Sequence, residues 1–477
     1  MRTPISQIVV VLLCTFICSC STSAYATHVR GGQIQLRKTS TSLRSYQIVL
    51  QMYIDTESTV PAGGSDQDVL QIFGSSGFHV SIKVPEIRYS NDDGTSVFEM
   101  IDEYLAFVQY TQEITFPTDD YYTVTYSEIN RNAGVMNISR SVDTPFHIET
   151  AIVIDGSNPI SSTPIGLTTP IFFARAGKPL SVSVASYQTE SDVQLFYRLV
   201  VPKMGYKRLV DDYSLPENCT INPFTGCISW DGKYKTMTIV GDFILAVEIV
   251  SYRKDKVIGR MVRDFQVTLT DEALPADISL DSEDDNETNN VFETALGLNT
   301  ISVLGESLNA KELTAEVYSE LGELVSVVIS NENTGSVKRQ LVNISFDVNT
   351  SLQRDVPYLL NVRLGAKGNY TFYQDYTILL NTINRTLELP SAIDSLNNLV
   401  EEPEEFVPYP NPTIDFVNIE RSVDKATIEV CDAKGASVEI TTSTRGFSFS
   451  PSTPPGTYYL RMRRNSGEIV RFSILKY

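Results

Sequence analysis

Short runs of β-branched, aromatic and aliphatic residues, each closed by a polar cluster, set the character of the chain. Ser45–Ile54 alternates in part between apolar and polar positions and is rich in strand-forming residues, the pattern of a pleated strand with one face inward. Comparable runs fall at Tyr121–Tyr126, His147–Ile154, Val193–Val201, Phe243–Ser251, Met261–Leu269, Leu341–Val348, Tyr358–Leu364 and Tyr370–Leu380. Clusters of Gly, Pro, Asn, Asp and Ser separate them, the residues that turns require. A helical period is rare: Ala310–Leu321 is its best instance, and that segment also reads as a strand. The predicted fold is all-β, a tandem array of antiparallel β-sandwich domains.

Three breaks divide the array. Ser157–Pro164 is polar and Pro-bearing, Asp271–Asn290 is acidic and poor in apolar residues, and Glu401–Glu405 is a short acidic hinge. Like charges and Pro keep such segments extended. The predicted units are 27–156, 164–271, 290–392 and a small β-sandwich at 408–477. At 477 residues the chain is too long for one core.

The first 26 residues read as a secretory signal peptide. Arg2 supplies the positive start, and Ile8–Cys18 is almost wholly apolar. As a helix that run spans ~16 Å, short of a bilayer core of about 30 Å. Ala24, Tyr25 and Ala26 give the small-x-small cleavage pattern, which makes Thr27 the mature start. A second reading takes Ile17–Cys20 as a lipoprotein box with Cys20 lipidated. No later segment has 18 consecutive apolar residues, so no transmembrane span is expected.

Composition narrows the chemistry. With 38 Lys+Arg against 58 Asp+Glu the net charge is -20, which argues against a nucleic-acid partner. The only histidines are His28, His79 and His147, so His-based metal sites have few ligands available. His28 reads as a packed or surface residue beside Arg30. Cys219 and Cys227 flank a strand–turn–strand segment and form a candidate disulfide, with two buried free thiols as the equal alternative. Trp230 reads as a core anchor. Glu248, Arg253, Arg263 and Asp264 read as cross-strand ion pairs, with ligand binding as the alternative. Asn91–Gly94 and Asp281–Glu287 are acidic loops that miss the twelve-residue calcium pattern. Gly305–Asn309 fails the nucleophile-elbow pattern at its last position. No catalytic residue, cofactor site or metal site is assigned, and a non-enzyme is expected. A secreted glycan-active hydrolase with an unrecognised carboxylate pair stays open as the alternative.

The last 70 residues carry the most specific pattern. Tyr409, Pro410, Asn411 and Pro412 open on a rigid turn, Asp432 and Gly435 suit a β-turn, and Gly456, Tyr458 and Leu460 begin a strand after a Gly turn. A basic strand through Lys476 closes the chain. In this order and place, these landmarks resemble the C-terminal sorting domain of the type IX (Por) secretion system. The resemblance implies an export address read by type IX machinery in the outer membrane, and a chain secreted or held at the cell surface. Surface lipopolysaccharide, or an extracellular glycan or protein, are the partners it suggests. Thr27–Leu36, Tyr126–Asn132 and Asp143–Glu149 are similar to surface proteins associated with gliding motility, which implies an exported β-domain and no particular activity. Ile221–Asp231, Gly241–Ile249 and Ile258–Asp264 resemble an immunoglobulin- or cadherin-like repeat, so Ig-like sandwiches are expected. The reading is an adhesin, matrix component or spacer.

Overall fold

The computed structural model describes residues 29–39, 42–55, 69–84, 99–102, 105–169, 172–231, 239–254, 256–271, 278–282, 287–288, 290–368, 371–383, 416–418, 427–432, 436–443, 446–463 and 469–476. Among these, regular structure is β-strand apart from short 3-10 turns. The fold is all-β, its strands paired mostly antiparallel into several sheets.

In the first unit Val29–Lys38 pairs antiparallel with Ser45–Asp55, which pairs in turn with Leu105–Thr115. Alternation sorts their side chains. Ile34, Leu36, Ile48, Leu50, Met52 and Ile54 enter a core closed by Leu70, Tyr122, Val124, Tyr126, Ile148 and Ile152. Gln33, Gln35, Arg37, Gln51 and Tyr53 take the opposite face.

The expected boundary at 157–164 does not separate two sheets. Strand Lys256–Thr270 of the second unit pairs with the first, Phe265 opposite Gly31 and Asp264 opposite Gly32, and Gly259–Met261 run beside Thr150–Ile152. The same strand pairs throughout with Gly241–Arg253 and, in parallel, with Phe172–Arg175. At 15 residues it is long enough to serve two cores. The glycine pair is required by this junction: a Cβ on Gly31 would lie 2.8 Å from the Asp264 carbonyl oxygen, and one on Gly32 2.8 Å from that of Gln51.

The second core gathers Leu180, Val182, Tyr197, Trp230, Phe243, Phe265 and Val267. Trp230 is buried there, edge-on to Phe243 at 5.2 Å between ring centroids. The preceding turn is built by Asn222, whose Oδ1 accepts from the Phe224 and Thr225 N–H groups at 2.9 and 3.1 Å. Gly226 completes it at a φ of 69°, where a Cβ would also strike the Tyr197 ring.

Cys219 and Cys227 are free thiols, so the candidate bridge is corrected. Cys219 lies opposite Trp230, and Ile221 opposite Ile228. Cys227 is three residues from Trp230 and therefore faces the other side of the sheet, where it contacts Ser181 Oγ at 3.2 Å. Burial pushes the two thiols up to about 12 and about 11, which leaves them weak nucleophiles. Unfolding the purified protein in iodoacetamide without reductant is expected to alkylate both. A mass two hydrogens short at this pair, restored only by reductant, would show a bridge.

The third unit is a sandwich of two sheets. Ile278–Ser282, Gly297–Leu308, Val337–Val348 and Val325–Thr334 make one, and Glu287–Thr288, Val291–Glu293, Thr371–Asn381, Tyr358–Lys367 and Glu312–Ser319 the other. Ile301, Val303, Val342, Ile344, Leu360, Val362, Ile378 and Leu380 form the core between them. Two expectations change. Glu312–Ser319, inside the helix candidate, is a strand, because Leu313, Ala315 and Val317 bury on a period of two rather than 3.6. Ile278–Ser282, inside the expected linker, is an edge strand, since main-chain pairing to Gly297–Leu308 does not depend on apolar side chains.

A buried polar latch joins the second and third units. Asp375 accepts from Arg363 Nε and Nη2 at 2.8 Å each, from Asn361 Nδ2 at 3.0 Å, and from the Ser183 N–H of the second unit at 2.7 Å. Thr377 Oγ1 adds a bond to Ser183 Oγ at 2.9 Å.

Candidate sorting module and amide-lined cleft

The C-terminal module is two small sheets. Phe416–Asn418, Gly446–Phe449 and Ile440–Ser443 form one, and Thr427–Asp432, Gly456–Arg463 and Ile469–Lys476 the other. Val430, Phe447, Phe449, Tyr458 and Leu460 are buried between them. The Phe449 ring lies 5.4 Å from Phe447 in its own sheet and 5.0 Å from Tyr458 in the facing one, so the layers close on a shared core. The sequence landmarks meet in one sheet: Asp432 stands opposite Tyr458, and Gly456 opposite Lys476. Asp432 Oδ1 accepts from the Ala436 N–H at 2.8 Å, and Tyr458 Oη donates to the Pro454 carbonyl at 2.6 Å. Gly435 and the Tyr409–Pro412 turn lie outside the described residues, as do Cys20, Ala24, Ala26, Thr27, His28 and the Asn91–Gly94 loop. Of the second acidic loop, 283–286 lie outside them too.

The side chains read as cross-strand ion pairs separate into two kinds. Glu248 takes Arg198 Nε at 2.6 Å, and Arg253 pairs with Asp192 at 3.1 Å. Asp264 takes Arg131 through both guanidinium nitrogens, at 2.9 and 2.6 Å. Arg30 is likewise structural, pairing with Asp55 at 2.7 Å. Arg263 differs. It is 1% exposed, and its hydrogen-bond partners among the described residues are neutral: Gln33 Oε1, the Val184 carbonyl at 2.8 Å, Ser186 Oγ at 3.4 Å and the Thr168 carbonyl at 3.4 Å.

Arg263 lies at a cleft of about 240 Å³ between the polar face of the first sheet and residues 165–169. Gln33, Gln35, Arg37 and Gln51 line it, with Tyr53, Ile101 and Phe107 as an apolar wall. The Tyr53 and Phe107 rings sit 5.5 Å apart. From the sequence, none of these glutamines and aromatic residues was assigned to a site. The available signal was glutamine at alternate positions, Gln33 and Gln35 before Arg37, and Gln51 before Tyr53.

A second cluster has the parts of an acyl-transfer relay. Ser127 Oγ meets His147 Nδ1 at 2.6 Å, and His147 Nε2 meets Glu149 Oε2 at 3.3 Å. Ser127 and His147 are direct cross-strand partners. His147 is 1% exposed. Burial pushes its pKa down, outweighing Glu149. Burial pushes Glu149 up, but Lys203 and His147 overcome this and hold it at about 2.

Residues 408–476 match the family described as the secretion system C-terminal sorting domain. The module is therefore a type IX sorting tail, and it marks the chain for export to the cell surface or for secretion. Among the described residues no helix is long and apolar enough to cross a membrane. No curated protein matches the chain. Solved structures similar to it include the Sidekick-1 immunoglobulin domains 1–4, at 8% identity and TM-score 0.17 over 93% of this chain and 98% of that one. Another is the three-domain ectodomain of mouse nectin-like molecule 4, at 10% identity and TM-score 0.16 over 65% and 98%. A third is a Bacteroides ovatus protein of the mixed-linkage glucan utilization locus, in complex with a mixed-linkage heptasaccharide, at 11% identity and TM-score 0.16 over 64% and 65%. Scores this low carry no argument about function.

Proposed function

We propose that the protein is a non-enzymatic surface component, an adhesin, matrix element or spacer, whose sandwiches are displayed outside the cell after passage through the type IX machinery. The observation that carries this reading is the closed core of the sorting module, which brings Asp432, Tyr458, Gly456 and Lys476 into one sheet. A signal peptide cut after Ala26 supplies the earlier step across the inner membrane. The N-terminal similarity to gliding-associated surface proteins belongs to the same reading. The burial of His147 supports a structural role for the Ser127–His147–Glu149 relay, because a general base has to reach its substrate.

Deleting 408–477 and fractionating the cells tests the route. The expected result is loss of the protein from the exterior and its retention in the periplasm. A truncated chain that still reaches the exterior overturns the reading.

A further inference from the structure

We propose that the cleft between the first sheet and residues 165–169 binds a carboxylated sugar residue of an acidic polysaccharide. Charge is the first argument. Arg37 and Arg263 line the cleft, and among the described residues no Asp or Glu does, in a chain whose net charge is -20. The other deeply buried guanidiniums discussed above, Arg131 and Arg363, each hold an aspartate. A buried cation without an anion is expensive in a monomer, so its retention at a cleft points to an anion supplied from outside.

Donor geometry is the second argument. Guanidinium groups only donate, so Gln33 must turn Oε1 toward Arg263 Nε. That leaves Gln33 Nε2 donating to Gln51 Oε1, and Gln51 Nε2 donating to Gln109 Oε1 at 3.2 Å. The amides are thus set in one sense, from the buried cation to the exposed end at Gln109. Arg37 donates through Nη2 to Gln35 Oε1 at 2.9 Å, while its buried Nε has no hydrogen-bond partner. Arg263 Nη2 makes one long contact, to Thr168. Gly166 lets the covering segment pass directly over this group: a Cβ there would fall 2.1 Å from Arg263 Nη2.

These features select the ligand. Guanidinium N–H groups suit a carboxylate. Amide carbonyls and NH2 groups suit ring hydroxyls, which both donate and accept. Tyr53, Phe107 and Ile101 offer an apolar wall for the C–H face of a sugar. The volume is at the small end of ligand sites, typically about 300–1,000 Å³, which suits one ring. An acidic peptide side chain would use the cation and leave the remaining donor and acceptor positions of the amides unused, so the sugar is favoured.

The proposal names a ligand for the display reading, and it is tested in vitro, so failure of either is distinguishable. Affinity electrophoresis of the purified protein would use gels containing polygalacturonate, alginate, dextran or polyglutamate. The expected result is retardation by a uronate polymer and by neither dextran nor polyglutamate. Arg37→Gln, at the partly exposed end, should weaken retardation about tenfold, the scale of one charge-assisted contact, with an unchanged melting temperature. Arg263→Gln should do more, and Gln51→Ala serves in its place if that variant fails to fold. Migration unaffected by either uronate polymer, equal retardation of Arg37→Gln, or equal retardation by polyglutamate would overturn the assignment.

Discussion

Asp375→Ala lowers stability by about 3–5 kcal/mol, the expected scale for removing one partner of a buried ion pair. Asp375 has no exposed side-chain surface, and Arg363 beside it has 4%. Truncation removes the bidentate carboxylate from the buried Arg363 guanidinium, and it also strips acceptors from Asn361 Nδ2 and the Ser183 N–H. Ser183 belongs to the second unit, so the loss reaches across the junction. The measurement is urea unfolding followed by intrinsic fluorescence, where Trp230 in the second core reports on the neighbour of the mutated unit. A midpoint within error of the parent would mean that the latch contributes nothing. Asp375→Asn, which keeps an acceptor for Ser183 but loses the charge, should fall between the two.

Asp264→Ala is expected to cost a similar amount, for a similar reason: Arg131 is left buried at 2% exposure with its bidentate partner gone. Here a double replacement separates two causes. Burial pushes the Asp264 carboxyl above its ordinary range even though Arg131 pulls it down, so desolvation outweighs attraction at this carboxylate. Arg131→Met with Asp264→Leu therefore recovers most of the stability lost in the single variant, giving strong non-additivity in a double-mutant cycle. Simple addition of the two single effects would show that the residues act independently. The Arg131 guanidinium also lies 5.3 Å from the Phe146 ring centroid, and methionine retains an apolar contact there.

Much of the fold was legible because strand alternation is a local signal. Ser45–Ile54, Val193–Val201 and Tyr358–Leu364 read correctly to within a few residues, since β-branched and aromatic runs between turn-forming clusters have few other uses. The tail was legible for a different reason: Asp432, Gly456 and Tyr458 form part of an ordered set of landmarks that matches a known family. What stayed hidden depends on distance along the chain. Arg263 and Gln33 are 230 residues apart, and nothing local to either announces the other. Whether Cys219 and Cys227 share a face turned on a one-residue register, Ile221 opposite Ile228 rather than Cys227, which composition does not fix. Asn361, Arg363, Asp375 and Thr377 interrupt two apolar runs. They alternate with Leu360, Val362, Ile378 and Leu380 and so lie on the face away from the third core, where local pattern alone reads as solvent-facing and does not announce Ser183.

Strand Lys256–Thr270 has a consequence in time. Gly31 finds its neighbour in Phe265, so the earliest sheet to be synthesised stays a partner short until the ribosome has added more than two hundred further residues. At about 5–20 residues per second that delay is on the order of 10–50 s. A leading half that remains incomplete for so long stays threadable, which suits a polypeptide obliged to cross a bilayer before it matures.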